Sequence, residues 1–180
     1  MKNDKLYRMI TGALLAALCC VATIAVQIPS PMNGYVNLGD SIVLLSGWLL
    51  GPALGGVAAG MGSMLADVFT GYVHYAPGTF LVKLLVAVTA YYVYRVIHKA
   101  AKRHGLAARI ISGIAAESVM VAGYFGYASL LLGKGWAAAA SIPGNLLQGL
   151  VGIVASVVLV EVFEKSKVLP GFLTQESVGR

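Results

Sequence analysis

The sequence predicts an all-α membrane protein, a single domain over residues 1–180 with six transmembrane helices in one compact bundle and both termini cytoplasmic. Three observations carry this. Only 11% of the residues are charged and mean hydropathy is +0.82, whereas a soluble domain keeps about a quarter of its residues charged. The apolar residues fall into six stretches, most of them near the ~20 residues that cross a hydrocarbon core. The basic residues gather at alternate ends of those stretches, so the net charge of +6 belongs to membrane orientation and no nucleic-acid partner is expected.

The first span is residues 9–27. Lys2, Lys5 and Arg8 precede it, as in a signal peptide. The apolar run is long for a signal core, however, and Leu18 before Cys19 is not the small residue that lipoprotein cleavage requires, so the segment is expected to be retained. Cys19 and Cys20 are sequence neighbours that point in different directions on a helix, and both read as small packing residues. Gly12 with Ala16, and Ala13 with Ala17, form two stripes of small residues. Such stripes let helices approach closely, within the bundle or against another membrane protein.

The second span, 38–51, is short, so it is either tilted and shielded by protein or continued by an irregular piece. Gly51-Pro52 breaks it from the third, 53–70. Spans at 79–97, 109–132 and 143–163 follow. Lys2, Lys5, Arg8, Arg95, Lys99, Lys102, Arg103, Arg109, Lys165, Lys167 and Arg180 then share one side, eleven of the thirteen Lys and Arg. Lys134 lies on the other side and Lys83 inside a span. By the positive-inside rule the crowded side is cytoplasmic. The outer connections 28–37 and 71–78 are rich in Pro, Gly, Asn and Tyr, a composition suited to ordered loops over a cavity. The third, 133–142, is Ala-rich around Trp136, which suits the aromatic interface belt.

Four ionisable residues fall within spans: Asp40, Asp67, Lys83 and Glu117. Each costs on the order of 2.5–3.5 kcal/mol at mid-membrane, so each needs a partner or a wet cavity. Tyr124, Tyr127, Asn145 and Gln148 lie at similar heights in the outer half, and Tyr72, His74 and Tyr75 lie in the loop above. This convergence predicts an outward-facing pocket for a small polar molecule. Structural readings stand beside it. Asp40 would cap the second helix; Asp67 and Lys83 would form an ion pair between neighbouring helices. Glu117 would be protonated and bonded to a backbone carbonyl; His74 and Tyr75 would be interface residues. No nucleophile–base arrangement, metal spacing, cofactor fingerprint or phosphate loop is present, so the chain reads as a non-enzyme without metal or cofactor.

The segment GYVNLGDSIVLLSGWLLGPALGGVAAGMGSMLADVFTGYVHYAPGTFLVKLL, residues 34–85, resembles the substrate-binding S components of energy-coupling factor (ECF) vitamin transporters. The resemblance rests on Asn37-Leu38-Gly39-Asp40, Gly51-Pro52, the glycine-rich third span ending in Ala66-Asp67, and Tyr75-Ala76-Pro77 followed by Lys83. Six helices, a length near 180 residues and the Ala13/Ala17 pair extend it over nearly the whole chain. It implies a multi-pass subunit of a prokaryotic cell membrane that binds a vitamin outside and joins a transmembrane T component with two cytosolic ATPases. The ligand would lie in the outer half, among Asn37, Asp40, Asp67, His74, Tyr75, Lys83, Glu117, Tyr124, Asn145 and Gln148. Gly12, Ala13, Ala16 and Ala17 would meet the T component. The riboflavin, pyridoxine and hydroxymethylpyrimidine subgroup is most similar, with a pyridine- or pyrimidine-type ligand favoured and riboflavin next. In that picture Lys83 receives an anionic or hydroxyl group of the ligand. The competing classes are a stand-alone proton-coupled carrier using Asp67 or Glu117, and a structural membrane subunit that binds nothing.

The charge distribution makes the orientation testable. In a background lacking Cys19 and Cys20, a cysteine at position 134 should react with an impermeant thiol reagent on intact cells, and one at position 102 should not. The reverse pattern would invert the topology.

Overall fold

The computed structural model describes residues 2–30, 34–100 and 105–166. Lys102 and Arg103 of the basic loop, Lys167 and Arg180 near the C-terminus, and residues 31–33 of the first connection lie outside them. The chain runs α1 (Lys2–Ala25), β1 (Gln27–Ser30), β2 (Gly34–Asn37), α2 (Gly39–Leu50), α3 (Pro52–Phe69), α4 (Ala76–Ala100), α5 (Gly105–Gly126) and α6 (Ile142–Lys165). A π-helical turn at Tyr127–Leu131 extends α5, and a 3₁₀ segment at Gly135–Ser141 leads into α6.

The helices match the expected spans in number and order, with two differences. First, α1 starts seven residues earlier than the apolar run, because Lys2–Arg8 continues the helix with Asp4 in its first turn, where an acidic side chain suits the helix dipole. Second, the connection expected as a loop is an antiparallel hairpin pairing Gln27 with Asn37 and Ile28 with Val36, so the fold is not purely helical. Pro29 is tolerated because a two-stranded ribbon has only edges.

Five helical stretches are long and apolar enough to cross a membrane; α2, with 12 residues, is not. Its burial shows how it is accommodated: every residue from Gly39 to Leu50 is buried. Helices α1, α3, α4 and α6 all touch it, so it is shielded by protein, with no irregular continuation. The outer helices turn Leu14, Leu18, Val21, Leu85, Val154 and Val158 outward. Apolar exposure on this scale would be a liability in water and is the expected finish of a surface facing lipid.

Glycine sets the spacing around α2. Gly51 has φ 82°, a left-handed conformation that favours glycine, and it lets Pro52 open α3 immediately. At Gly47 the α4 backbone comes so close that a Cβ would run into the Ala87 carbonyl. Arg8 Nη2 donates to the Leu50 carbonyl at 2.9 Å, satisfying one of the last carbonyls of α2. Trp48 Nε1 donates to Ser112 Oγ at 3.1 Å and ties α2 to α5.

Gly47→Ala should therefore cost about 1–3 kcal/mol, as overpacking does, and lower the unfolding midpoint of the detergent-purified protein. Gly126→Ala, where nothing lies within 4 Å of the added carbon, should leave it unchanged. Equal midpoints for both would refute the close α2–α4 contact.

Candidate functional site

The polar residues converge at the end of the bundle that carries the hairpin. Helical spacing of three or four residues puts Ser63 with Asp67, Thr79 with Lys83, Met120 with Tyr124, and Asn145 with Gln148 on single faces. Those faces, Met120 excepted, line one cavity with Thr23 of α1, Tyr35 and Asn37 of β2, Tyr72 and Tyr75 before α4, and Ser141 before α6. The space among these residues, counted out to the open mouth, is about 610 Å³.

Beneath the cavity lies a chain of buried bonds. Asn37 donates its main-chain N–H and its Nδ2–H to Gln148 Oε1, at 2.9 and 3.2 Å. Gln148 Nε2 donates to Asp40 Oδ2 at 2.5 Å. Lys83 Nζ forms a buried salt bridge with Asp40 Oδ1 and also reaches Met120 Sδ at 3.0 Å. Asp40 is 0% exposed, so its charge is tolerable only because an ammonium and an amide both point at it.

The roof is held separately. Tyr35 OH donates to Asp67 Oδ1 at 2.5 Å, the short range of a charge-assisted bond. Burial first, and the Asp67 charge second, raise the Tyr35 phenol well above its ordinary pKa, so it remains a donor. Tyr72 packs on Tyr35 with centroids 4.7 Å apart. Tyr124 OH donates to Thr79 Oγ1 at 3.2 Å, and Lys134 Nζ donates to Tyr75 OH at 2.9 Å.

Of the residues expected at the site, Asn37, Asp67, Tyr75, Lys83, Tyr124, Asn145 and Gln148 line the cavity; Asp40, Glu117 and His74 do not. Asp40 sits behind the wall. It makes no cap bond, and the amide donor at the start of α2 goes instead to Asn37 Oδ1, which accepts the Gly39 N–H at 2.8 Å. The expected Asp67–Lys83 pair is corrected, since Lys83 belongs to Asp40 and Asp67 to Tyr35. Glu117 is buried against Gly149, and neither carboxyl oxygen has a hydrogen-bond partner among the described residues, so the expected carbonyl bond is not made. His74 is exposed, its ring 4.9 Å from Tyr75. Thr23, Tyr35, Ser63, Tyr72, Thr79 and Ser141 were not among the expected site residues. For Ser63 and Thr79 the missed signal was the four-residue spacing to Asp67 and Lys83.

The stripes of α1 separate. Gly12 is buried, with Leu54 of α3 only 3.1 Å from where a Cβ would stand, and a Cβ on Gly62 would strike the Ala16 carbonyl. Gly12 and Ala16 thus face α3, while Ala13 and Ala17 are exposed.

Comparison with known proteins gives the family and the fold. The family model described as "ECF-type riboflavin transporter, S component" matches residues 3–165. A protein of Pyrococcus woesei, described as "Uncharacterized protein in gap 3'region", is 36% identical over 137 residues, covering 74% of this chain and 86% of that protein. A solved structure titled "Structure and mechanism of the S component of a bacterial ECF transporter" superposes with a TM-score of 0.67 at 23% identity, covering 92% of this chain and 98% of that one. At that identity it shows the shared fold.

Breaking the buried pair should be expensive and mending it cheap. Asp40→Asn or Lys83→Met alone should each destabilise by about 3–5 kcal/mol by stranding a charge, and the double variant should recover much of the loss. Thermal unfolding in detergent measures all three; a double variant showing the summed loss would exclude the pairing.

Proposed function

The chain belongs to the ECF-type riboflavin transporter S-component family, and from that premise we propose that it captures a small nitrogen-heteroaromatic vitamin, or a precursor of one, for ATP-driven import. S components are transport subunits of a larger membrane complex, not enzymes. The observation that carries the ligand reading is the cavity itself. Tyr35, Tyr72, Tyr75 and Tyr124 supply flat walls, while Asn37, Asp67, Lys83 and Asn145 supply polar edges. Flat aromatic walls with a few placed polar groups suit a planar ring with a polar rim.

A pyridine- or pyrimidine-type ring is the favoured ligand. Both tryptophans lie away from the cavity lining, Trp48 bonded to Ser112 and Trp136 87% exposed, so tyrosines alone would face a larger ring system. Riboflavin is the second reading, favoured by the description of the matching family. The six-span topology with both termini cytoplasmic opens the cavity outward, and the segregation of basic residues supports it. The subunit then works in the plasma membrane of a prokaryote beside a transmembrane T component and two cytosolic ATPases. Ala13 and Ala17, exposed one turn apart on α1, form the face that meets the T component, and Gly12 and Ala16 hold α1 to its own bundle.

Ala13→Leu with Ala17→Leu should leave ligand binding by the purified protein within about twofold and abolish uptake in cells containing the ATPase-bearing partners, because close packing tolerates little added volume. Mass spectrometry of small molecules co-purified from rich medium identifies the ligand. Concentrative uptake by the wild-type chain alone, in vesicles with a proton gradient and no ATPase, would replace this reading with a stand-alone carrier.

A further inference from the structure

The hydrogen-bonding capacity of the cavity wall is unevenly spent. Gln148 has none left: Oε1 takes two N–H groups from Asn37, and Nε2 serves Asp40 and, at 3.5 Å, Met120 Sδ. Asp40 is buried behind the wall, with one oxygen for Lys83 and the other for Gln148. Lys83 is charge-matched by that partner, so the expectation that it receives an anionic ligand group loses its electrostatic basis.

Asp67 differs from all of these. It lines the cavity, is only 4% exposed, and gives Oδ1 to Tyr35. Its Oδ2 is buried without a hydrogen-bond partner among the described residues, and the carboxylate has no ion pair among them. The Thr79 hydroxyl, which accepts from Tyr124, has its own proton to give and is a hydrogen-bonding neighbour of the same carboxylate; each carboxylate oxygen has two lone pairs, so accepting capacity remains beside it. An ionised carboxylate oxygen only accepts, and leaving it buried and unfilled is costly.

We infer that Asp67 is the specificity-determining acceptor of the cavity, its Oδ2 receiving an N–H of the ligand: an amino group, a ring imide or a protonated ring nitrogen. The inference rests on the vitamin-binding reading and sharpens it. Ring analogues of the same shape that lack this N–H leave Asp67 unfilled and are rejected. Tyr35 acts as a positioning residue, fixing the other oxygen so that Oδ2 keeps its aim.

The test measures binding of three matched pairs to the purified full chain by titration calorimetry. The pairs are the aminopyrimidine vitamin precursor and its dimethylamino analogue, pyridoxine and its ring-N-methyl derivative, and riboflavin with and without a methyl on its imide nitrogen. Whichever parent binds should bind roughly tenfold or more tighter than its methylated partner, the loss expected from an unfilled buried acceptor. Asp67→Asn, which keeps the size but turns an N–H toward the ligand, should shrink that ratio to about threefold or less. Tyr35→Phe, which releases Oδ1 and loosens the aim of Oδ2, should lower the ratio to between the wild-type and Asp67→Asn values. Equal binding of parent and methylated partner by the wild type would overturn the inference while leaving the vitamin reading intact. A ratio unchanged in Asp67→Asn would assign the discrimination to shape and also overturn it. Should no parent bind, the vitamin reading falls, and the assignment of Asp67 with it.

Discussion

An ammonium and a carboxylate buried together in the middle of an apolar bundle constrain everything around them. Lys83 comes from α4 and Asp40 from the first turn of α2, and each is intolerable there without the other. Gln148 of α6 completes the arrangement with its amide aimed at the second carboxylate oxygen, and its own oxygen then collects two donors from Asn37 at the end of the hairpin. Three helices and the hairpin are thus registered on one charge pair. The cavity floor is the upper surface of this network, and its shape is as fixed as the network is.

The hairpin has little stability of its own, since two strands without further packing are marginal. Three side-chain attachments hold it: Tyr35 on Asp67, Asn37 on Gln148, and Gln27 on Thr70 at 3.4 Å. Each joins it to a different point on the rim, α3, α6 and the end of α3. The roof is therefore built from polar contacts, whereas the lower bundle is built from close backbone approach at Gly47 and Gly62 and from Leu, Val and Ala packing around α2. Polar contacts exchange with water or ligand at modest cost, and tight apolar packing does not.

The helices and their order were legible in the sequence because crossing a bilayer demands long apolar runs, and few alternatives satisfy that demand. The shielding of the second span was one of two possibilities the sequence left open, and the burial of every residue in Gly39–Leu50 decides it. Seven of the cavity-lining residues were readable as polar groups at one depth. Their pairing was not, because depth does not reveal rotation about a helix axis. Asp67 and Lys83 sit at matching heights, yet Asp40 takes Lys83. The hairpin was missed since Pro29 and Gly34 read as loop residues, and its strands are only four residues each. The same blindness to rotation left the two stripes of α1 equivalent until Leu54 and Gly62 showed which one faces inward.

The brevity of α2 has a geometric consequence for the membrane. Twelve residues make a rod of about 18 Å, against a hydrocarbon thickness of ~30 Å. Helices α1, α4 and α6, with 24, 25 and 24 residues, are long enough for the full distance, so the bundle has a central post shorter than that distance by roughly 12 Å. The turns α2 lacks leave room at its Asp40 end, where Asn37, Lys83 and Gln148 line the cavity and the hairpin lies beside it. The cavity thus occupies the place of turns that α2 does not have.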